Sequence, residues 1–166
     1  MRTTSVRASD AASPRTSRET MARLDLDIQY ASRLPHIPEA AQFRRWIKAA
    51  LPQPAELTLR IVNEAEGRNL NSAFRGKDYA TNVLTFVYHE PRSPFLQGDV
   101  ILCAPVVARE ARGQGKPLEH HYAHLTVHGV LHLAGMDHER SPDAEKMEAL
   151  EVAILARLKV PNPYEA

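Results

Sequence analysis

The chain has 166 residues, 43% hydrophobic and 25% charged, with a formal net charge of +1. That length and balance suit one full-sized globular domain, and they leave nucleic-acid binding to rest on a local patch rather than on overall charge. A single cysteine, Cys103, excludes a disulfide framework, and no apolar run approaches the roughly 18 residues of a membrane span, so a reducing, cytoplasmic setting without a membrane partner is expected.

Residues 1–20, MRTTSVRASDAASPRTSRET, are rich in Ser, Thr, Ala and Arg and lack apolar periodicity. They are expected to form a disordered N-terminal extension ahead of a single domain at 21–166, and they lack the apolar core of a secretory signal. Their Arg2, Arg7, Arg15 and Arg18 face only Asp10 and Glu19, a net +2 that leaves the rest of the chain at −1 against the total of +1. LDLDIQY at 24–30 alternates apolar and polar residues, as a strand with one buried face does. Residues 38–51 open with Pro38 and set Phe43, Ile47 and Leu51 on one helical stripe. ELTLRIV at 56–62 reads as a second strand, followed by a helix over EAEGRNLNSAFR. TNVLTFVY at 81–88, with its β-branched and aromatic residues, reads as a third strand, and GDVILCA at 98–104 as a fourth, more buried one. The intervening HEPRSPFLQ, with two prolines, reads as a loop.

From Pro105 onward the pattern is helical. PVVAREARGQG ends at glycine, and PLEHHYAHLTVHGVLHLAG runs from Pro117 to Gly135, apolar on most faces as a central buried helix is. SPDAEKMEALEVAILARLKV begins with an N-cap serine, and its Met147, Leu150, Ile154 and Leu158 are expected to face the core. The sum is an α+β domain with α/β-type layers, about four strands in a mixed sheet and about five helices.

HGVLHLAGMDH, residues 128–138, carries the chemistry. His128 and His132 lie four apart, hence on one face of the central helix about 6 Å apart along its axis. Gly135 then breaks the helix, and His138 follows where a folded-back chain can complete a set of three. Three neutral imidazoles with an open fourth position are the arrangement of a catalytic zinc. In the HExxH zinc proteases a glutamate follows the first histidine and shuttles a proton; Gly129 stands there instead, which disfavours peptide hydrolysis. Asp137 and Glu139 flank His138. His124, one turn before His128, is read as solvated or as a supporting neighbour of the site, whereas His120 and His121 are assigned to a solvated face.

A second segment, LNSAFRGKDYATNVLTF at 70–86, places Arg75, Gly76, Lys77 and Asp78 in a turn ahead of the third strand. Alone it reads as a solvated charged turn, and it is not a P-loop.

Taken together, FRGKDYATNVLTF and HGVLHLAGMDH resemble the YbeY family of bacterial rRNA maturation factors and single-strand-specific metallo-endoribonucleases, whose hallmarks are Y-R-G-K-D-x-x-T-N-V-L-S-F and H-G-x-L-H-L-x-G-Y-D-H. GDVILC and AHLTVHG also match, so the resemblance covers about residues 24–160. It implies one zinc ion per chain on His128, His132 and His138, with Arg75 as the functional arginine of the cleft. It implies single-stranded RNA as substrate, rRNA and the small ribosomal subunit as partners, and roles in 16S rRNA 3′-end maturation and ribosome quality control. Met136, Phe74 and Thr85 depart from the family's tyrosine, tyrosine and serine, so no phenol at 136 is available. Arg60, Arg68 and Lys77 are expected to extend a positive groove; Tyr79 and Phe74 are the nearest rings for stacking and fit a core position equally well. A metalloprotease-like hydrolase and a non-catalytic assembly factor with structural zinc are the alternatives, and water and the ribose 2′-hydroxyl both stand open as nucleophile.

Overall fold

The structure, a computed structural model, describes residues 3–9, 23–88, 93–136 and 141–165. Five strands, β1 (Thr4–Ser9), β2 (Leu24–Tyr30), β3 (Ala55–Val62), β4 (Val83–Tyr88) and β5 (Leu96–Cys103), form one mixed sheet in the order β1-β2-β3-β5-β4. The central pairs β2–β3 and β3–β5 are parallel, while β1 and β4 run antiparallel to their neighbours on the two edges. Five helices complete a single mixed domain: α1 (Ala40–Ala50), α2 (Glu64–Arg75), α3 (Ala104–Gln114), α4 (Leu118–Leu133) and α5 (Ser141–Arg157).

The alternation in β2 does what it promises, with Leu24, Leu26 and Ile28 fully buried on one side. The inward residues of β3 and β5 join them against Phe43, Trp46 and Ile47 of α1, the apolar faces of α4, and Met147, Ile154 and Leu155 of α5. Phe43 anchors this layer, its ring edge-on to Trp46 at 5.5 Å and to Tyr122 at 5.9 Å. On the opposite face a smaller core of Ala31, Val62, Leu84, Ile101, Cys103 and Val106 is joined by Leu70 and Phe86. Cys103 is buried there as a small apolar residue.

Two expectations are corrected. Thr4–Ser9, expected to be disordered, pairs antiparallel with β2, Thr4 opposite Tyr30 and Ser9 opposite Asp25. An edge strand offers a row of unpaired backbone groups to any extended segment, and that pairing needs no apolar periodicity, so composition does not reveal it. Ser5 adds a 2.7 Å hydrogen bond from its hydroxyl to Asp27; residues 10–20 of the expected extension lie outside the described residues. In α5, Leu150 is 36% exposed and Glu151 is fully buried, so the helix turns a carboxylate inward within its apolar stripe.

Two glycines shape the junctions between these elements. Gly76, at φ 68°, ends α2 in the left-handed conformation, its N–H bonding Ser72 C=O at 3.1 Å while Lys77 N–H reaches Asn71 C=O at 3.3 Å. Gly129 lies where a Cβ would stand 3.0 Å from Val100 Cγ1 and 3.4 Å from Val83 Cγ2. Its missing side chain lets α4 settle directly on β4 and β5.

Candidate active site

Three successive turns of α4 carry His124, His128 and His132; the first two share Glu151 and the third meets Thr85. The close seating at Gly129 brings the Thr85 hydroxyl of β4 within 2.8 Å of His132 Nδ1. One turn earlier, His128 Nδ1 bonds a carboxylate oxygen of Glu151. The other oxygen accepts from the Tyr164 hydroxyl and lies 3.3 Å from His124 Nε2. Glu151 is completely buried and would be costly there if unpaired. Burial pushes its carboxyl up, but hydrogen bonds from His124, His128 and Tyr164 outweigh that and hold it down at about 2, so it is ionised. Burial and the adjacent carboxylate push the Tyr164 phenol up, which keeps it a donor.

An ionised carboxylate only accepts hydrogen bonds, so Nδ1 of His128 must be the protonated nitrogen. In the neutral ring Nε2 then holds the lone pair, the form a metal needs. The arrangement is the carboxylate–histidine pairing that commonly stands behind a metal-ligating imidazole. At His132 a metal taken at Nε2 would make Thr85 the acceptor from Nδ1–H. The donor set therefore fits a divalent cation of the zinc class. His124, His128 and Glu151 also form a set by themselves, each offering a ligand atom within 4.8 Å of the others, and this cluster could hold a metal ion. His138, Asp137 and Glu139 lie outside the described residues.

The histidines border a cleft of about 350 Å³ whose lining includes Arg75, Lys77, Asn82, Thr85, His128 and His132. Residues some fifty positions apart thus meet: the end of α2 supplies Arg75, the turn after Gly76 supplies Lys77, and α4 supplies the imidazoles. Arg75 is exposed, and neither it nor Lys77 has an ion-pair partner among the described residues. The rest of the expected positive groove does not form. Arg60 is held by Glu66 at 2.5 and 2.8 Å, and Arg68 grips Asp78 with two bonds of 2.8 Å, so both guanidinium charges are locally cancelled. Tyr79 (54% exposed) and Phe74 (65% exposed) stand at the surface as stacking rings would, with Phe74 edge-on to Phe86 at 5.1 Å.

His121 is corrected as well. It is 3% exposed rather than solvated, its Nε2 lying 2.9 Å from Glu110, which also accepts from Asn82 at 3.0 Å. Burial pushes its pKa down, against the hydrogen bond to Glu110. His124 does flank the site. Sequence reasoning misses Glu151 and Tyr164. A signal for Glu151 is present: a carboxylate four residues after Met147 and three before Ile154 shares their helix face and needs a buried partner. For Tyr164 no such signal exists.

The family description "Endoribonuclease YbeY" matches residues 28–159. The chain is similar to the endoribonuclease YbeY of Thiobacillus denitrificans, at 57% identity over 86% of this chain and 97% of that one. It is also similar to the endoribonuclease YbeY of Aromatoleum aromaticum, at 64% identity over 76% of this chain and 81% of that one. A solution structure of TM1509 from Thermotoga maritima shares the fold, with a TM-score of 0.50 and 23% identity over 85% of this chain and 99% of that one.

Proposed function

The chain belongs to the endoribonuclease YbeY family and is a hydrolase acting on RNA; from that premise we propose a zinc-dependent, single-strand-specific enzyme that matures the 3′ end of 16S rRNA and serves ribosome quality control. Its partners are then rRNA and the small ribosomal subunit, and its setting is the cytoplasm. The single observation behind the chemistry is the shared cleft, in which Arg75 borders the same space as His128 and His132.

In this reading His128, His132 and His138 hold one zinc ion. When bound, zinc supplies Lewis acidity and water activation at neutral pH. The chain's own groups do the rest. Arg75 donates to the non-bridging oxygens of the phosphate under attack, where negative charge grows as phosphorus becomes five-coordinate. Lys77 adds a second cation on the path of the backbone. Glu151 keeps the Nδ1 proton on His128, and Thr85 orients His132. Gly129 leaves no carboxylate beside the first histidine, and a Cβ there would stand 3.0 Å from Val100 Cγ1, so a larger side chain does not fit without a shift. That favours phosphodiester over peptide chemistry.

A second reading places the ion among His124, His128 and Glu151. It is disfavoured because the protons on His128 Nδ1 and His124 Nε2 now bond the carboxylate and would have to be displaced. The test is cleavage of a single-stranded RNA by zinc-loaded protein, compared with His132→Ala and Arg75→Glu. We expect both variants to lose at least about a hundredfold in rate. Equal cleavage by all three proteins would sink the proposal.

A further inference from the structure

The edge of the sheet inside the cleft has a defined polarity. Cys103 N–H bonds Asn82 C=O at 3.0 Å, and β4 runs antiparallel to β5 with Val83 opposite Leu102. Asn82 and Cys103 therefore form a hydrogen-bonded pair, and antiparallel pairs alternate. Leu84 and Phe86 direct their peptide groups at β5, while Val83, Thr85 and Val87 direct theirs away from the sheet. β4 is the terminal strand, and those outward groups make no backbone hydrogen bond among the described residues. The side chains of Val83 and Thr85 point at α4, close to Gly129, and both residues line the cleft with Arg75, Lys77, His128 and His132. A row of alternating N–H donors and C=O acceptors, repeating at roughly 6.8 Å, thus runs directly beside the imidazoles.

We propose that this open edge of β4 is the rail on which the substrate strand lies, its ribose 2′-hydroxyls and base edges hydrogen-bonding to the outward peptide groups of Val83, Thr85 and Val87. The proposal deepens the functional reading and rests on it. A strand whose phosphate lies between Arg75 and the histidines has its neighbouring nucleotides beside this edge, and the cations of Arg75 and Lys77, without ion-pair partners among the described residues, fit a polyanion. Peptide groups do not read sequence, because every nucleotide can offer a donor and an acceptor to them. They do register the sugar: an outward carbonyl accepts from a 2′-hydroxyl, and deoxyribose has nothing to donate. A base paired in a duplex has its hydrogen-bonding edge occupied, so the rail favours unpaired strands.

The test uses the position rule for proline. Proline at Val83 removes an outward N–H and leaves the β4–β5 ladder intact, as an edge strand tolerates. With full-length zinc-loaded protein and a ten-nucleotide single-stranded RNA, we expect Val83→Pro to raise KM about fivefold, the worth of one net hydrogen bond, a larger change than any in kcat. An all-deoxy strand of the same sequence should bind more weakly. A second measurement needs no change in the edge. In the zinc-loaded Arg75→Lys protein, slowed but still cationic, saturating RNA should slow backbone hydrogen exchange at Val83, Thr85 and Val87 about fivefold or more, leaving Leu84 and Phe86 as they were. RNA binding, seen by fluorescence anisotropy, without that slowing would overturn the rail and leave the functional reading standing. Slowing by an extended peptide but not by RNA would overturn it in favour of a protein-docking edge. If the unsubstituted protein neither binds nor cleaves RNA, the functional reading falls and the rail with it.

Discussion

Arg75 has no ion-pair partner to lose among the described residues, so replacing it tests chemistry with little risk to the fold. Arg75→Ala should reduce kcat by about 10²–10³, the usual worth of a group that stabilises developing charge, with an unchanged melting temperature. Arg75→Lys should recover part of that, since a point charge remains but the two-pronged donor geometry is gone. Glu151 makes the opposite kind of residue, buried and tied to three neighbours. Glu151→Gln should weaken zinc affinity about 10–100-fold without abolishing stoichiometric binding, measured by competition with a chelator. Loss of the site altogether, or an equal loss in His124→Ala, would make Glu151 and His124 ligands instead. The same carboxyl governs acid stability. Its folded value of about 2 lies below its ordinary 4.5, so its contribution is complete above 4.5 and is lost as pH falls toward 2. The thermal midpoint should fall over that range, and Glu151→Gln should flatten that part of the profile.

Among the elements, α4 carries the site, and its distance from the sheet is set at Gly129. Adding a methyl there meets Val100 Cγ1 at 3.0 Å, on a β-branched side chain with little rotamer freedom. Alanine gains about 1 kcal/mol of helix propensity over glycine, while overpacking costs about 1–3 kcal/mol. Gly129→Ala should therefore destabilise the protein by about 1 kcal/mol and also weaken zinc binding, because α4 must move off Thr85. Val100→Ala should cost less stability in that background than in the parent protein, measured as a double-mutant cycle in denaturant. Most elements are legible in the sequence because each carries its own signal. LDLDIQY alternates, and the helix over Glu64–Arg75 stops at a glycine in the left-handed conformation. β1 carries no such signal, since what orders it is the open backbone of β2. Glu151 escapes a reading of α5 that assigns the apolar stripe through Leu150, one position away.

At the scale of the whole molecule, β1 and the cleft lie on opposite edges of the sheet. Removal of residues 1–22 should therefore lower the melting temperature only modestly and leave the cleavage rate within about twofold, which a truncated protein would show directly. A much larger loss of activity would mean that the far edge communicates with the site. The pairing of His128 and His132 in the cleft is legible because helix geometry puts them on one face. Arg75 is not legible from the residues themselves. An R-G-K-D turn has no periodicity, and only the packing of α2 and β4 brings it to the histidines. Arg60 and Arg68 mislead for the same reason, because their partners Glu66 and Asp78 cancel them only in the folded chain. The most direct test of the zinc site is anomalous diffraction at the zinc edge from crystals of the zinc-loaded protein. One peak is expected within bonding distance of Nε2 of His128 and His132 and of His138, on the side of the cleft that Arg75 borders. A peak among His124, Glu151 and Nδ1 of His128 would contradict that assignment.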